Sequence, residues 1–218
     1  KLVIMSSLNL SLTLKPTDKT INIEVSSPTK IGAAYEDTSS LNINSTEMAN
    51  ISEKFGKIII GYENGIDSYN DITGTDHASE NLGDIIVGQI DLSNPTFKDD
   101  VYLYGNNIII DDSQNSSSTL KVKDNIYFEA YNDIEIYNKI SLSGDISFYS
   151  LNGNISQKNY TQPDNDSMLD EYEFIEADNL TAVAKTGIDL SYLYVNNIDI
   201  ENTGEGDINI NIVDLKDD

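Results

Sequence analysis

Apolar and polar residues alternate with a period of two along much of this chain. Leu8, Leu10, Leu12 and Leu14 are separated by Asn9, Ser11 and Thr13; Ile21, Ile23 and Val25 follow, then Leu41 and Ile43. A period of two sends successive side chains to opposite faces of a strand, so these segments are predicted as half-buried strands. From residue 56 a short phrase recurs, in which Gly or Asn and then a polar residue precede an Ile-led strand. Its copies include Gly56-Lys57-Ile58, Gly83-Asp84-Ile85, Asn106-Asn107-Ile108, Asp124-Asn125-Ile126, Asn132-Asp133-Ile134, Gly144-Asp145-Ile146, Gly153-Asn154-Ile155, Thr186-Gly187-Ile188, Asn196-Asn197-Ile198 and Gly206-Asp207-Ile208. Gly and Asn accept positive φ, and Ile favours a strand, so each copy joins a turn to a strand start.

The spacing of the copies sets the fold class. Ile126 and Ile146 are 20 residues apart, Ile134 and Ile155 are 21, and Ile188 and Ile208 are 20. Two phrases interleave within each period. An antiparallel sandwich also places turns about 8–12 residues apart, but it has no reason to repeat at twice that distance. The prediction is an all-β parallel β-helix, or β-solenoid, of about 20 residues per coil, in which stacking turns equivalent Ile residues into internal columns. Seven to nine coils are expected, about 35–45 Å long at the ~4.8 Å spacing of paired strands.

Three stretches break the rhythm. Residues 45–55 read as a short helix, with Ser45 or Thr46 as cap, Glu47 in the first turn, and Met48, Ile51 and Phe55 on one face. Residues 63–82 form a polar insertion. Residues 158–178 read as a protruding loop, returning through a strand at Tyr172–Ile175. The chain therefore divides into residues 1–44, an N-terminal cap or preceding coils; 45–157, coils with the insertion at 63–82; the loop 158–178; and 179–218, further coils. Leu215-Lys216-Asp217-Asp218 reads as a cut end rather than a capped one.

Charge and composition remove several function classes. Thirteen Lys, no Arg and 37 acidic residues give a formal charge of −24. Such a field opposes nucleic acid and anionic membranes, which are held by cation–phosphate contacts, and it favours divalent cations. With no cysteine there is no disulfide framework and no thiolate chemistry. Lys1 to Leu14 is too interrupted by Ser and Asn for a signal peptide, and no apolar run approaches the ~20 residues that span a bilayer.

Catalytic chemistry has little support. His77, the single histidine, falls in a loop with no nucleophile elbow. Asp99-Asp100 and Asp111-Asp112 imitate the acid pair of a polygalacturonase-like hydrolase, but its Gly-His-Gly and Arg-Ile-Lys motifs are absent. A pectate-lyase-like site would want Arg or Lys as base. Adjacent strand residues also point to opposite faces. Phosphate-binding loops, dinucleotide fingerprints and zinc spacings are missing. Asp164, Asp166, Asp170 and Glu171 supply hard oxygen ligands on a loop, so calcium is the one candidate metal, although EF-hand spacing is absent. Tyr102 and Tyr104 share a strand face, as do Tyr192 and Tyr194, and such aromatic ladders would stack on sugar rings if exposed. Asn115, Asn154 and Asn179 stand in Asn-X-Ser/Thr sequons.

The order of motifs carries a resemblance. Leu41-Asn42-Ile43, Glu47-Met48-Ala49 and Phe55-Gly56-Lys57-Ile58-Ile59-Ile60-Gly61 resemble a strand, short helix and "I-x-I-G" strand of filamentous-haemagglutinin-type exoproteins. Gly83-Asp84-Ile85-Ile86-Val87-Gly88 and Phe97-Lys98-Asp99-Asp100-Val101-Tyr102-Leu103 follow in the same order, and the coils from residue 144 look like the family's generic ones. The similarity covers residues 40–157 and 180–215. It implies a right-handed parallel β-helix in a long secreted surface or matrix protein of a Gram-negative-type bacterium. The expected function is a non-catalytic spacer of a surface adhesin, filament or biofilm matrix, outside the cell, with no cofactor unless calcium. Its partners would be further coils of the same chain or neighbouring copies, and a glycan or surface receptor. The alternatives are a glycan- or protein-binding adhesin module using the tyrosines and loops, and a carbohydrate-active β-helix enzyme.

Overall fold

A computed structural model describes residues 17–23, 29–32, 41–52, 55–61, 83–92, 100–111, 119–158 and 175–215. Within these, every strand pairing is parallel, and the strands stack into three ladders. The chain is a parallel β-solenoid, with one short helix among the described residues.

The first ladder stacks β1 (Thr17–Ile23), β4 (Phe55–Ile60), β7 (Asp100–Gly105), β10 (Ile126–Ala130) and β13 (Ile146–Ser150), then the second halves of β15 (Ile175–Ala184) and β16 (Ile188–Asn202). The second runs through β3 (Leu41–Ile43), β2 (Thr29–Ile31), β5 (Ile85–Val87), β8 (Ile108–Ile110), β11 (Ile134–Ile136) and β14 (Ile155–Gln157), to the start of β16 and of β17 (Ile208–Leu215). The third joins β6 (Ile90–Leu92), β9 (Thr119–Val122) and β12 (Lys139–Leu142) to the start of β15, the middle of β16 and the end of β17. The first ladder spans about 30 Å at the usual strand spacing.

The repeat read from the sequence is the pairing register. Ile126 is the cross-strand partner of Ile146, Ile134 of Ile155, and Ile188 of Ile208. Coil length is not uniform, because insertions leave at corners and the chain returns in register. Ile58 pairs with Val101, 43 positions on, and Ile146 with Leu180, 34 on; Leu180 meets Ile198 after only 18. Toward the C-terminal end the corners shrink until one strand, β16, serves all three ladders in turn.

Inward rows fill the interior. Ile85, Ile108, Ile134, Ile155 and Ile188 form one buried column. Phe128 and Phe148 stack with ring centroids 5.2 Å apart, and the next rung answers with Ala182, so volume lost in one rung is recovered in its neighbours.

The helix α1 (Ser45–Ser52) is shorter than predicted, and its cap differs. Asn44 Oδ1 accepts from the Glu47 amide at 3.0 Å, while Glu47 Oε2 accepts from the Asn44 amide at 3.0 Å, a reciprocal capping box. Asn44 is therefore the cap rather than Ser45 or Thr46; Ser45 Oγ donates instead to the Gln89 carbonyl. Phe55 lies outside the helix because it opens β4, where Lys57 to Ile60 pair with β7. Met48 and Ile51 enter the core, and α1 packs on β6, the first strand of the third ladder.

Two stability outcomes are expected. Phe128→Ala should cost about 3–5 kcal/mol in denaturant unfolding, because the cavity opens in the stacked interior. Ser156 sits on an outward row of β14, yet it is buried and its Oγ has no hydrogen-bond partner among the described residues. Ser156→Ala should therefore raise stability by about 1 kcal/mol, and a loss of that size in the same measurement would contradict the reading.

Candidate functional site

The polar residue that precedes each strand opener does more than make a turn. Before the second ladder these residues are Asp84, Asn107, Asp133 and Asn154; before the first they are Asp100, Asn125, Asp145, Asn179 and Asn197. At the first corner, Asp84 Oδ1 accepts from the Asn107 side-chain amide at 2.9 Å and its backbone amide at 3.1 Å. Asn107 Oδ1 accepts from the Asp133 amide at 3.2 Å, and Asp133 Oδ1 from the Asn154 side-chain amide at 3.0 Å. At the second corner, Asp100 Oδ1 accepts from Asn125 Nδ2 at 3.0 Å and Asn125 Oδ1 from the Asp145 amide at 2.8 Å. Asn179 Nδ2 then donates to Asp145, and Asn197 Nδ2 to Asn179 at 2.7 Å.

Both columns alternate Asp with Asn from Asp84 to Asn154 and from Asp100 to Asn179. Electrostatics favours that order. Parallel stacking brings equivalent positions about 4.8 Å apart. An uninterrupted Asp column would set like charges against each other with no donor between them. A carboxylate followed by an amide receives charge-assisted hydrogen bonds, while the next carboxylate stands two rungs away. The turns are tight enough that a side chain on Gly153 would collide with Asp133 and with the backbone of Asn132.

The ladders also settle two sequons. Asn154 and Asn179 have their side-chain nitrogens bonded to Asp133 and Asp145, so neither offers a free amide for glycosylation in the folded chain. Asp100, one of the acids weighed for hydrolysis, is held by Asn125. Asp111 follows β8, and its amide donates to the Val87 carbonyl.

The tyrosines divide. Tyr102 and Tyr104 share the outward side of β7, and Tyr127 and Tyr149 of the next two rungs join them, with Glu129 between Tyr104 and Tyr149. Sequence reading missed Tyr127 and Tyr149, which sit in separate strands; the shared 20-residue offset of Ile126 and Ile146 was the available signal. Tyr102 stacks on Tyr127 with centroids 4.4 Å apart and planes 9° from parallel, and Lys57 Nζ of the preceding rung lies 4.2 Å from the Tyr102 centroid. Ring faces thus meet along the solenoid axis, and outward they offer mainly edges.

Tyr192 and Tyr194 do not share a face, contrary to the simple alternation. Ser191 pairs with Asn211 and Leu193 with Ile212, so Tyr192 is the extra residue of a bulge, with φ +57°. The bulge turns it inward at 8% exposure and leaves Tyr194 outward at 38%. The calcium candidates Asp164, Asp166, Asp170 and Glu171 lie outside the described residues, as do His77, Asp99, Asp112, Asn115 and the insertion 63–82.

Burial pushes the Tyr102 phenol up to about 12, with Asp100 adding a further repulsion of the phenolate. Burial likewise raises Tyr104, helped by Glu129, and Tyr127, helped by Asp100 and Asp145. A folded-state value above the ordinary 10.0 means the neutral phenol contributes fully below pH 10 and the contribution is lost as pH rises through about 12. Unfolding free energy measured across that window should fall, and Tyr102→Phe should flatten the fall.

Asn125→Asp tests the alternation. It would place three carboxylates in sequence with Asp100 and Asp145 and remove the donor that Asp100 uses. At neutral pH the loss should be roughly 2–4 kcal/mol, shrinking as the pH approaches 4, whereas Asn125→Ala, which removes the donor without adding a charge, should recover less on acidification. A loss equal at both pH values would refute the charge argument. Set against known proteins, the chain matches no family model, no curated protein and no solved structure.

Proposed function

We propose that this chain is a non-catalytic structural module, a solenoid rod that serves as a spacer in a large secreted bacterial surface adhesin, filament or matrix protein. The observation that carries this reading is the direction in which the polar side chains are used. Asp84, Asn107, Asp133 and Asn154, and Asp100, Asn125, Asp145 and Asn179, bond up and down the axis, rung to rung, instead of converging on a cavity. A rod built this way gains resistance to unfolding and proteolysis from repetition, each coil stabilising its neighbours. The secreted bacterial setting rests on the resemblance to filamentous-haemagglutinin-type coils, and further coils of the same long chain would be its structural partners.

One observation favours a second reading, a glycan-binding module. Tyr102, Tyr104, Tyr127 and Tyr149 gather beside Glu129 on one outward face. Binding on a glycan array that Tyr149→Ala abolishes would support it.

The spacer reading is tested by removing one coil. Deleting residues 126–145 takes out β10, β11 and β12, and sets β13, β14 and β15 against β7, β8 and β9 in the same register. The corners would then pair Asn125 with Asn179 and Asn107 with Asn154, with no new like-charge contact. The shortened chain should fold and lose about 5 Å of length in small-angle scattering. Collapse of the fold, or loss of a specific ligand, would argue that these coils form a site rather than a rod.

A further inference from the structure

Two phenols on the outward side of the first ladder lie face to face. Tyr102 and Tyr127 are cross-strand partners in adjacent rungs, and their rings stack with centroids 4.4 Å apart and planes 9° from parallel. The Tyr102 hydroxyl donates to the Tyr127 oxygen, so the ring carbons flanking the two oxygens are also held close. Both side chains are half-buried rather than enclosed.

The pair is set apart from the other rings. Lys57 Nζ of the preceding rung lies 4.2 Å from the Tyr102 centroid, and the next partner of Tyr127 is Ser147, which is too small to stack. Tyr104 stands beside Tyr102 on the same strand with centroids 6.4 Å apart, so edges rather than faces meet there. In the neighbouring row Glu129 separates Tyr104 from Tyr149. Phe128 and Phe148 stack inside the solenoid but carry no phenol.

We propose that Tyr102 and Tyr127 form an oxidative coupling site, at which hydrogen peroxide and a peroxidase-type one-electron oxidant join two adjacent coils through dityrosine. Each phenol gives up one electron and its proton, which leaves two phenoxyl radicals with spin on the carbons ortho to oxygen. The radical orbitals stand perpendicular to the rings. Face-to-face stacking therefore points them at each other, whereas Tyr104, lying alongside, presents none to Tyr102. One carbon–carbon bond forms, the hydrogen on each joined carbon moves to its oxygen, and both rings become phenols again. Two tyrosines and one hydrogen peroxide thus give one dityrosine and two waters. The half-buried positions leave the rings room to swing as the new bond enters their planes. A bond between residues 102 and 127 closes a loop of one coil, restricting the unfolded chain as a disulfide does. The site rests on ring geometry and does not depend on the spacer reading.

The full chain, kept dilute, is treated with hydrogen peroxide and a peroxidase, then digested for mass spectrometry. The expected product is a peptide pair joined at Tyr102 and Tyr127, lighter by two hydrogen atoms, from a chain that stays monomeric. Tyr102→Phe and Tyr127→Phe retain the rings and should fold, but each should lose this product, while Tyr104→Phe should keep it. The oxidised parent should unfold at a higher denaturant concentration than the untreated one, a shift that oxidised Tyr127→Phe should lack. The proposal fails if no cross-link joins these two residues, or if bonds between chains predominate over the bond between coils. It also fails if Tyr102 couples to Tyr104 or Tyr149 as readily as to Tyr127.

Discussion

Stacking equivalent residues about 4.8 Å apart is the constraint on which everything else in this molecule depends. It makes an Ile column inside profitable, because each rung removes apolar surface of the rung before it from water. It also makes any repeated charge outside costly, in a chain that carries 37 acidic residues. The corner columns reconcile the two. Carboxylate and amide alternate, each Asp receiving hydrogen bonds from the following Asn, and the acids gain partners instead of facing each other. Backbone groups join the same columns: the carbonyls of Asn107, Asp133 and Asn154 accept from the amides of Ile85, Ile108 and Ile134 one rung back.

The outward rows follow the same logic with other chemistry. Lys57, Tyr102 and Tyr127 form a column of cation and rings. Ser141 Oγ donates to Glu176 at 2.7 Å, and Glu135 accepts from Tyr137 at 3.0 Å while lying 3.6 Å from Lys158. Individually such exposed contacts contribute little. Together they run mostly along the rod, and this is the arrangement from which the proposed structural role is argued. The tyrosine face is the place where that assignment can be challenged.

The fold was legible because it is one dimension of order written twice. An offset of 20 or 21 residues between Ile126 and Ile146, or Ile134 and Ile155, is both a sequence periodicity and a pairing register. The helix was legible in existence but not in its ends. Asn44 and Glu47 compete with Ser45 for the cap, and Phe55 has a strand partner that no local propensity reveals. The alternation of Asp and Asn stood in the recurring phrase, yet its meaning needed the knowledge that position 100 lies beside 125, and 125 beside 145.

What the sequence determined by itself was the class of structure and the identity of the corner residues, because period-two patterning, Gly/Asn turns and a constant offset act locally and repeat. What only the tertiary structure decided was which outward residues meet. Tyr127 and Tyr149 joined Tyr102 and Tyr104 because insertions of unequal length return in register. Tyr192 and Tyr194 separated because one extra residue in β16 reverses the alternation locally, so that Leu193 and Val195 face inward and Tyr194 outward. Alternation predicts faces only while the register is unbroken, and a bulge is set by the neighbouring strands rather than by the residues that carry it.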